Sequence, residues 1–211
     1  MRRLPVYLLI DTSASMTGAP IEAVRAGISM LLDTLRQDPH ALETACLSVI
    51  TFGTEARQVM PLTEIVDVQP PALEARGATA LGAALGFTAE RIKAEVIRGS
   101  DSQRGDWKPV VFLMTDGRPT DDITAGLTAF RAARPGMVVA CAAGPHAQPD
   151  VLCQITDTVV TLETADAASI AAFFKWVSAS IAVTTTRIDL RKPAPDTFDD
   201  LPPPPTEIRK F

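Results

Sequence analysis

Three oxygen-bearing side chains follow the first apolar run of the chain at alternating positions. The segment LLIDTSASM, residues 8–16, passes from aliphatic residues to Asp11, Ser13 and Ser15. Successive side chains of an extended segment point to opposite sides, so these three can face the same way. A carboxylate and two hydroxyls on one side suit a hard divalent cation, but Asp and Ser after a strand also cap helices. The triplet alone leaves a metal site and a helix cap as alternatives.

Two later loops offer further oxygen atoms. RGATALG, residues 76–82, places Thr79 at the start of a predicted helix. VVFLMTDGRPTDD, residues 110–122, places Asp116 directly after the most apolar predicted strand. The carboxyl ends of parallel strands share one edge of a sheet, which is where open α/β sheets bind ligands. We therefore expect the side chains of all three loops to converge.

The chemistry of this set indicates a metal site. Two carboxylates about 5 Å apart repel each other by about 3 kcal/mol at an effective dielectric of 20, and a divalent cation removes that penalty. Hard oxygen ligands, most of them neutral hydroxyls, favour Mg²⁺ or Mn²⁺ over zinc. Because hydroxyls leave the ion only partly neutralised, an open position would accept an Asp or Glu carboxylate from a partner protein. The predicted metal ligands are Asp11, Ser13, Ser15, Thr79 and Asp116.

Apolar runs alternate with amphipathic stretches along the chain, which is typical of helices packed over a mostly parallel sheet. VVFLM, residues 110–114, has the composition of a strand that is covered on both faces. The β-rich runs 45–52 and 56–62 are separated only by GTE, too few residues for a parallel crossover, and predict an antiparallel hairpin at a sheet edge. The predicted fold class is α/β: a doubly wound, mostly parallel six-stranded sheet with one antiparallel edge strand and helices on both faces.

The composition changes near Thr184, which divides the chain into a predicted domain, residues 1–183, and a proline-rich tail, residues 184–211. The tail contains six prolines and no helical period, as a linker would. Its apolar residues nevertheless suggest that it packs on the domain or on a neighbour. The residues expected to make these contacts are Ile188, Leu190, Phe198 and Leu201.

Charge and composition exclude several classes of partner. A formal net charge of -5 and a pI near 5.1 argue against general affinity for nucleic acid, which depends on clustered Lys and Arg. No apolar run approaches the ~20 residues of a membrane span. The three cysteines, Cys46, Cys141 and Cys153, have no paired spacing for zinc or a disulfide framework. They predict buried thiols in a reducing cytoplasm.

The motifs DTSAS, GATAL and MTDG occur in the order found in von Willebrand factor A domains, and the chain resembles that family over roughly residues 3–182. The resemblance implies a doubly wound fold with Mg²⁺ or Mn²⁺ at a metal-ion-dependent adhesion site. It also implies that, when a ligand is engaged, Ser13, Ser15 and Thr79 contact the ion directly, while Asp11 and Asp116 act largely through water. The chain departs from many relatives in one motif position, which holds alanine rather than glycine before the second serine.

Within the family, the chain is most similar to TerY-like bacterial cytoplasmic proteins of tellurite-resistance and stress gene clusters. The phrases that carry this resemblance are LIDTSASM, SVITFGTEARQVMPLTEI, ARGATALGAAL and MTDGRPTDD. The resemblance implies a role in assembling protein partners, among them a protein kinase and a phosphatase.

Two functional hypotheses follow from the residues. No general base or nucleophile accompanies the five oxygens, which favours a non-enzymatic, metal-dependent protein-binding module. The alternative is a metal-dependent phosphohydrolase, since haloacid-dehalogenase enzymes also begin their site with an aspartate after a strand. Their second acid would fall at Ser13, which cannot donate a proton near neutral pH. Serine hydrolysis is disfavoured because no G-x-S-x-G elbow occurs and a triad would have to recruit His40 or His146.

Other residues border the predicted site. Asp121 is expected to cap a helix rather than to bind metal, and Arg118 is expected to steer an acidic partner. His146 follows a predicted strand and is expected in an exposed turn. The tripeptide RGD, residues 104–106, is interpreted as a chance match to an adhesion motif.

Overall fold

A seven-stranded sheet with helices on both faces forms the framework of the chain. In this computed structural model, the structure describes residues 2–100, 104–189 and 198–211. The strands are β1 (Leu4–Asp11), β2 (Ala45–Phe52), β3 (Ala56–Glu64), β4 (Val110–Thr115), β5 (Met137–Ala143), β6 (Val159–Leu162) and β7 (Ile208–Lys210). The helices are α1 (Ala19–Gln37), α2 (Pro39–Thr44), α3 (Leu81–Glu95), α4 (Thr124–Ala133), α5 (Pro149–Leu152) and α6 (Ala167–Asp189), with short 3₁₀ turns at Ala14–Met16 and Phe198–Asp200.

The strand order β3-β2-β1-β4-β5-β6-β7 confirms the doubly wound α/β class. β1, β2, β4, β5 and β6 are parallel, and β3 turns back antiparallel to β2, which confirms the predicted edge hairpin. The sheet has seven strands rather than the six predicted, because β7 pairs antiparallel with β6 at the other edge. Three residues after a proline run are too short to show an alternating pattern, so the sequence did not indicate this strand.

Each strand of the sheet centre contributes side chains to two separate cores. Alternate residues of β1 show this: Val6 and Leu8 join the core beneath α1 and α6, while Tyr7 and Leu9 join the core beneath α3 and α4. β1, β2 and β4 are buried along their whole length, as expected for strands covered on both faces. The central strands are therefore rigid supports for the loops at their carboxyl ends.

Close backbone packing sets the layer of α1 and α6. A Cβ added to Gly27 of α1 would lie 2.2 Å from the ring of Phe174 in α6, so this position admits only glycine without movement of the ring. The unpredicted helix α2 follows α1 directly. Its cap, Asp38, accepts a hydrogen bond from the Ala41 amide at 2.9 Å, and Pro39 occupies the first turn.

The last helix is longer than the sequence indicated. α6 continues through Asp189, past the point near Thr184 at which the composition of the chain changes. Its segment Ala167–Ile188 has the length and composition of a membrane span, but 56% of its most apolar stretch is buried within the described part of the chain. Packing against α1 accounts for this apolarity, as in other core helices.

The described part of the tail packs on the domain. The Trp176 indole of α6 donates a hydrogen bond to the Pro202 carbonyl at 2.8 Å, and its ring lies 5.7 Å from that of Phe198. Leu201 is buried and Arg187 pairs with Asp200 at 2.9 Å. Three of the four residues expected to pack are therefore in contact with the core, Ile188, Phe198 and Leu201, whereas Leu190 lies outside the described residues.

Two local expectations have different outcomes. Cys46 and Cys141 are buried thiols, whereas Cys153 is exposed and corrects the prediction of three buried thiols. Cys153 follows the single-turn helix α5, which is too short to cover it. The RGD segment is not displayed for adhesion, because the Asp106 side chain is 4% exposed and pairs with Arg3 at 2.7 Å.

The indole hydrogen bond provides a test of how the tail is held. We expect Trp176→Phe to lower the free energy of unfolding by about 1 kcal/mol through the lost hydrogen bond, since the apolar ring contact is largely kept. Urea denaturation measures the loss. Hydrogen exchange should speed up by a larger factor at the β7 amides than in β1, where only the global loss acts; an equal factor in both strands would contradict this role of the indole.

Candidate metal centre

Asp11 is the last residue of β1 and the deepest member of the candidate site. Its side chain has 0% exposure and is fixed by two hydrogen bonds. One oxygen, Oδ1, accepts the Ser13 amide at 2.8 Å, and the other, Oδ2, accepts the Thr115 hydroxyl at 2.5 Å. The first bond turns the chain out of the strand and into the 3₁₀ turn that carries Ser15. The carboxylate is therefore oriented by both loops before any ligand arrives.

A chain of hydrogen bonds joins three of the predicted ligands. The hydroxyl oxygens of Ser13 and Ser15 are 3.0 Å apart, and Ser15 Oγ donates to Asp116 Oδ1 at 2.7 Å. Ser13 and Asp116 are buried, at 2% and 8% exposure, whereas Ser15 is exposed. The cluster thus faces solvent on the Ser15 side.

Thr79 reaches the same cluster through the loop before α3. A Cβ placed on Gly117 would lie 3.2 Å from Thr79 Oγ1 and 3.9 Å from Ser15 Oγ, so both hydroxyls border this glycine. The loop is anchored to the segment after β1, because the Ala14 amide donates to the Gly77 carbonyl at 3.0 Å. All five predicted residues therefore lie at the carboxyl ends of β1 and β4 or against them.

Burial makes Asp11 a poor place for a negative charge without a cation. The pKa of its carboxyl is raised to about 6, mainly by loss of hydration and to a smaller extent by the nearby Asp116 carboxylate, while the hydrogen bonds from Thr115 and Ser13 act in the opposite direction. A bound divalent cation would reverse this balance by stabilising both carboxylates.

The donor set fits a hard divalent cation. Among the described residues, no three His, Cys, Asp or Glu side chains come together as a metal-binding group. A cation at this point would therefore be held by the two acids Asp11 and Asp116 together with hydroxyl oxygens from Ser13, Ser15 and Thr79. Such an all-oxygen set is the kind that Mg²⁺ and Mn²⁺ prefer.

The residues at the border of the site have distinct roles. Arg118 and His146 are exposed, in the loops after β4 and β5. Asp121 does cap a helix: its two oxygens accept the Gly82 and Ala83 amides at 3.0 and 2.9 Å, in the first turn of α3 rather than of the helix that follows it in sequence.

The neighbouring acid caps the next helix. Asp122 accepts the Thr124 amide at 2.9 Å and the Thr124 hydroxyl at 2.6 Å at the start of α4, and these bonds lower the pKa of its carboxyl. The two adjacent aspartates thus hold two different helices.

Sequence reasoning missed two contributors. Thr115, the last residue of β4, orients Asp11 through its hydroxyl. Thr120 makes two hydrogen bonds with the backbone of Thr79. Its hydroxyl accepts the Thr79 amide at 3.3 Å, and its own amide donates to the Thr79 carbonyl at 3.0 Å. The sequence carried one signal for Thr115, since this hydroxyl residue directly precedes Asp116 at the end of a predicted strand. Thr120 had none, because its partner is 41 residues away.

Comparison with known proteins shows the family to which this fold belongs. Residues 6–173 match the von Willebrand factor type A domain, and the chain belongs to that family. Among individual relatives, it is 30% identical over 129 residues to the uncharacterised protein sll0103 of Synechocystis sp., covering 55% of this chain and 26% of that protein.

Two solved structures share the fold. A von Willebrand factor type A protein from Catenulispora acidiphila superposes with a TM-score of 0.65 at 24% identity, covering 86% of this chain and 43% of that one. Proximal thread matrix protein 1 from the mussel byssus, with a zinc-occupied MIDAS motif, superposes with a TM-score of 0.61 at 20% identity, covering 86% and 48%. The chain thus spans less than half the length of each of these proteins.

Proposed function

We propose that the chain is a protein-binding module that holds one Mg²⁺ or Mn²⁺ ion and captures an Asp or Glu carboxylate of a partner protein on it. The proposal rests on one observation above all. Ser15 Oγ lies within hydrogen-bond distance of both Ser13 Oγ and Asp116 Oδ1, beside the buried Asp11 carboxylate. Two acids and several hydroxyls at one point have no evident structural need for each other, but they suit a shared cation.

The proposed partner group follows from the charges at the site. Hydroxyl ligands are neutral, so an ion that they contact directly remains attractive to an outside anion. The exposed Ser15 leaves that side of the cluster open, and the exposed Arg118 adds a positive charge close by. Among the described residues, no hydrogen bond or ion pair of Arg118 competes for this role. A carboxylate is therefore the favoured ligand.

We propose Mg²⁺ or Mn²⁺ rather than zinc as the physiological ion. Zinc in proteins prefers nitrogen and sulfur ligands in tetrahedral sites, whereas the side chains gathered here offer only oxygen. The zinc in the mussel protein belongs to that protein's site.

The wider role proposed for the chain is that of a TerY-like scaffold in a bacterial tellurite-resistance and stress-response system, with a protein kinase or phosphatase among its partners. The phrases quoted from the sequence support this role. All three cysteines are free, which supports a cytoplasmic location. We propose a binding role without catalysis, and no observation favours a phosphohydrolase: the position of its second acid holds Ser13, whose hydroxyl faces Ser15.

Capture of partners tests the proposed function. The immobilised chain is exposed to lysate of its native cell in Mg²⁺ or in EDTA, together with the variant Asp11→Asn and the distant control Asp38→Asn, which alters the cap of α2. We expect one set of proteins to be retained by the wild type and the control in Mg²⁺ only. Carboxylate-to-amide substitution in the purified partner should then abolish binding.

Metal-dependent capture would be contradicted if the wild type retained the same proteins in EDTA as in Mg²⁺, or if Asp11→Asn retained them as well as the wild type. Retention that survives every carboxylate substitution in the partner would contradict the proposed ligand chemistry while leaving the metal site in place.

A further inference from the structure

The helix that follows Thr79 has no cap of its own. α3 begins at Leu81, and its N-cap residue, Ala80, carries no side-chain acceptor. The amides of a first helical turn lack partners within the helix and favour a negative charge. Here the Asp121 carboxylate supplies both the hydrogen-bond acceptors and the negative charge. One of its oxygens accepts the Gly82 amide and the other accepts the Ala83 amide. The cap of α3 therefore comes from a loop about 40 residues away in sequence.

The same loop holds the backbone of Thr79. Thr120 accepts the Thr79 amide through its hydroxyl and donates its own amide to the Thr79 carbonyl. Thr120 and Asp121 thus form hydrogen bonds with the backbone before and after the turn that leads from Thr79 into α3. This loop begins with Asp116, so it links one predicted ligand to the support of another.

Glycines let the two helix starts meet without intervening side chains. A Cβ on Gly82 would lie 2.5 Å from the Asp122 carbonyl and 2.9 Å from Asp121 Oδ2. A Cβ on Gly126 of α4 would lie 1.9 Å from the Gly82 carbonyl. This close packing of α3 against α4 brings the first turn of α3 within hydrogen-bond reach of Asp121, whose bonds to the Gly82 and Ala83 amides hold the start of α3.

We infer that Asp121 is a positioning residue for the candidate metal centre: by capping α3 from the β4–α4 loop, it sets the distance between the Thr79 hydroxyl and Asp116. The inference rests on the proposed function, since it assigns Asp121 a share of the affinity for the ion. Asp121 itself does not contact the ion in this scheme, because both of its oxygens are occupied by helix amides.

The matched comparison is with the adjacent acid. Asp122 also accepts hydrogen bonds at the start of a helix, but of α4, and the hydrogen bonds of its side chain go to Thr124 rather than to Thr79 or α3. We expect Asp121→Ala to weaken Mn²⁺ binding about tenfold in calorimetry, in the range seen for residues that orient metal ligands. Asp122→Ala should lose a similar amount of stability to urea, because each variant removes one cap, and should change Mn²⁺ affinity less than twofold. Equal loss of affinity in both variants would overturn the inference.

A double-mutant cycle separates positioning from a general weakening of the fold. If Asp121 acts through Thr79, Asp121→Ala should have almost no further effect on Mn²⁺ affinity in a Thr79→Ala background. A tenfold loss in both backgrounds would contradict this route. Asp121→Asn keeps one acceptor oxygen and should recover part of the affinity, and it serves as the second variant if Asp121→Ala does not fold.

One readout needs no metal. In the amide NMR spectrum of the metal-free chain, Asp121→Ala should shift the signal of Thr79, whereas Asp122→Ala should leave it in place. A wild-type chain that binds no Mn²⁺ would overturn the proposed function and the metal role of Asp121 together. If the wild type binds Mn²⁺, but Asp121→Ala keeps full affinity and an unshifted Thr79 signal, the positioning role alone would be overturned.

Discussion

Asp11→Asn should weaken metal binding strongly and leave a stable fold. The asparagine keeps the shape of the buried side chain and can still accept the Ser13 amide, but it removes one of the two negative charges that the ion neutralises. We expect the affinity for Mn²⁺ to fall about 100-fold or more, at the upper end of losses caused by disturbing metal ligands and their supports. Calorimetric titration with Mn²⁺ measures the change.

The same substitution should have an unusual effect on stability. A buried carboxylate without a cation is costly, so metal-free Asp11→Asn should be at least as stable to urea at pH 7 as the wild type. Saturating Mg²⁺ should stabilise the wild type through binding to the folded state and leave the variant unchanged. Asp38→Asn, which alters a cap remote from the site, should keep the full response to Mg²⁺. Equal stabilisation of wild type and Asp11→Asn would contradict the assignment of Asp11.

The contribution of Asp11 to the stability of the metal-free chain should fall as pH rises from about 4 to about 6. The folded pKa of Asp11 is raised to about 6, above its unfolded value near 3.9, so the folded state binds more protons than the unfolded state within this window. The sign is therefore opposite to that of a salt-bridged aspartate. At 1.36 kcal/mol per pKa unit, the contribution of Asp11 to the free energy of unfolding falls by about 3 kcal/mol across the window.

Urea denaturation at a series of pH values, with wild type and Asp11→Asn compared, isolates this contribution from other titrating groups. The difference between the two proteins should change across the window and be flat above about pH 7. Mn²⁺ affinity should show the complementary trend and weaken about tenfold per pH unit below about pH 6, because a proton at Asp11 competes with the ion. A pH-independent difference in stability would contradict the raised pKa.

The fold was largely predictable because its signals are local. Uninterrupted apolar runs mark strands that are covered on both faces, and β1 and β4 are buried throughout. The positions of Asp11 and Asp116 at strand ends follow from where those runs stop. Their proximity follows from the parallel pairing of β1 with β4, which the alternation of strands and helices indicated.

The remaining features depend on contacts that no local pattern carries. β7 is a strand only because the edge of β6 is available to it, and the tail packs only because Trp176 offers its indole to Pro202. Asp121 was expected at the start of a helix, but which helix it caps is decided by the docking of α3 against α4. A missing cap at Ala80 was visible in the sequence and could have prompted a search for a distant acid.

The most direct test of the candidate metal centre is a crystal structure of the chain soaked in Mn²⁺, with anomalous scattering recorded at the manganese edge. We predict a single strong peak among the hydroxyl oxygens of Ser13, Ser15 and Thr79, with Asp11 and Asp116 beside it, as expected for a hard cation held by oxygen ligands. An anomalous peak at any other group of residues, or saturating Mn²⁺ with no peak at this cluster, would contradict the proposal.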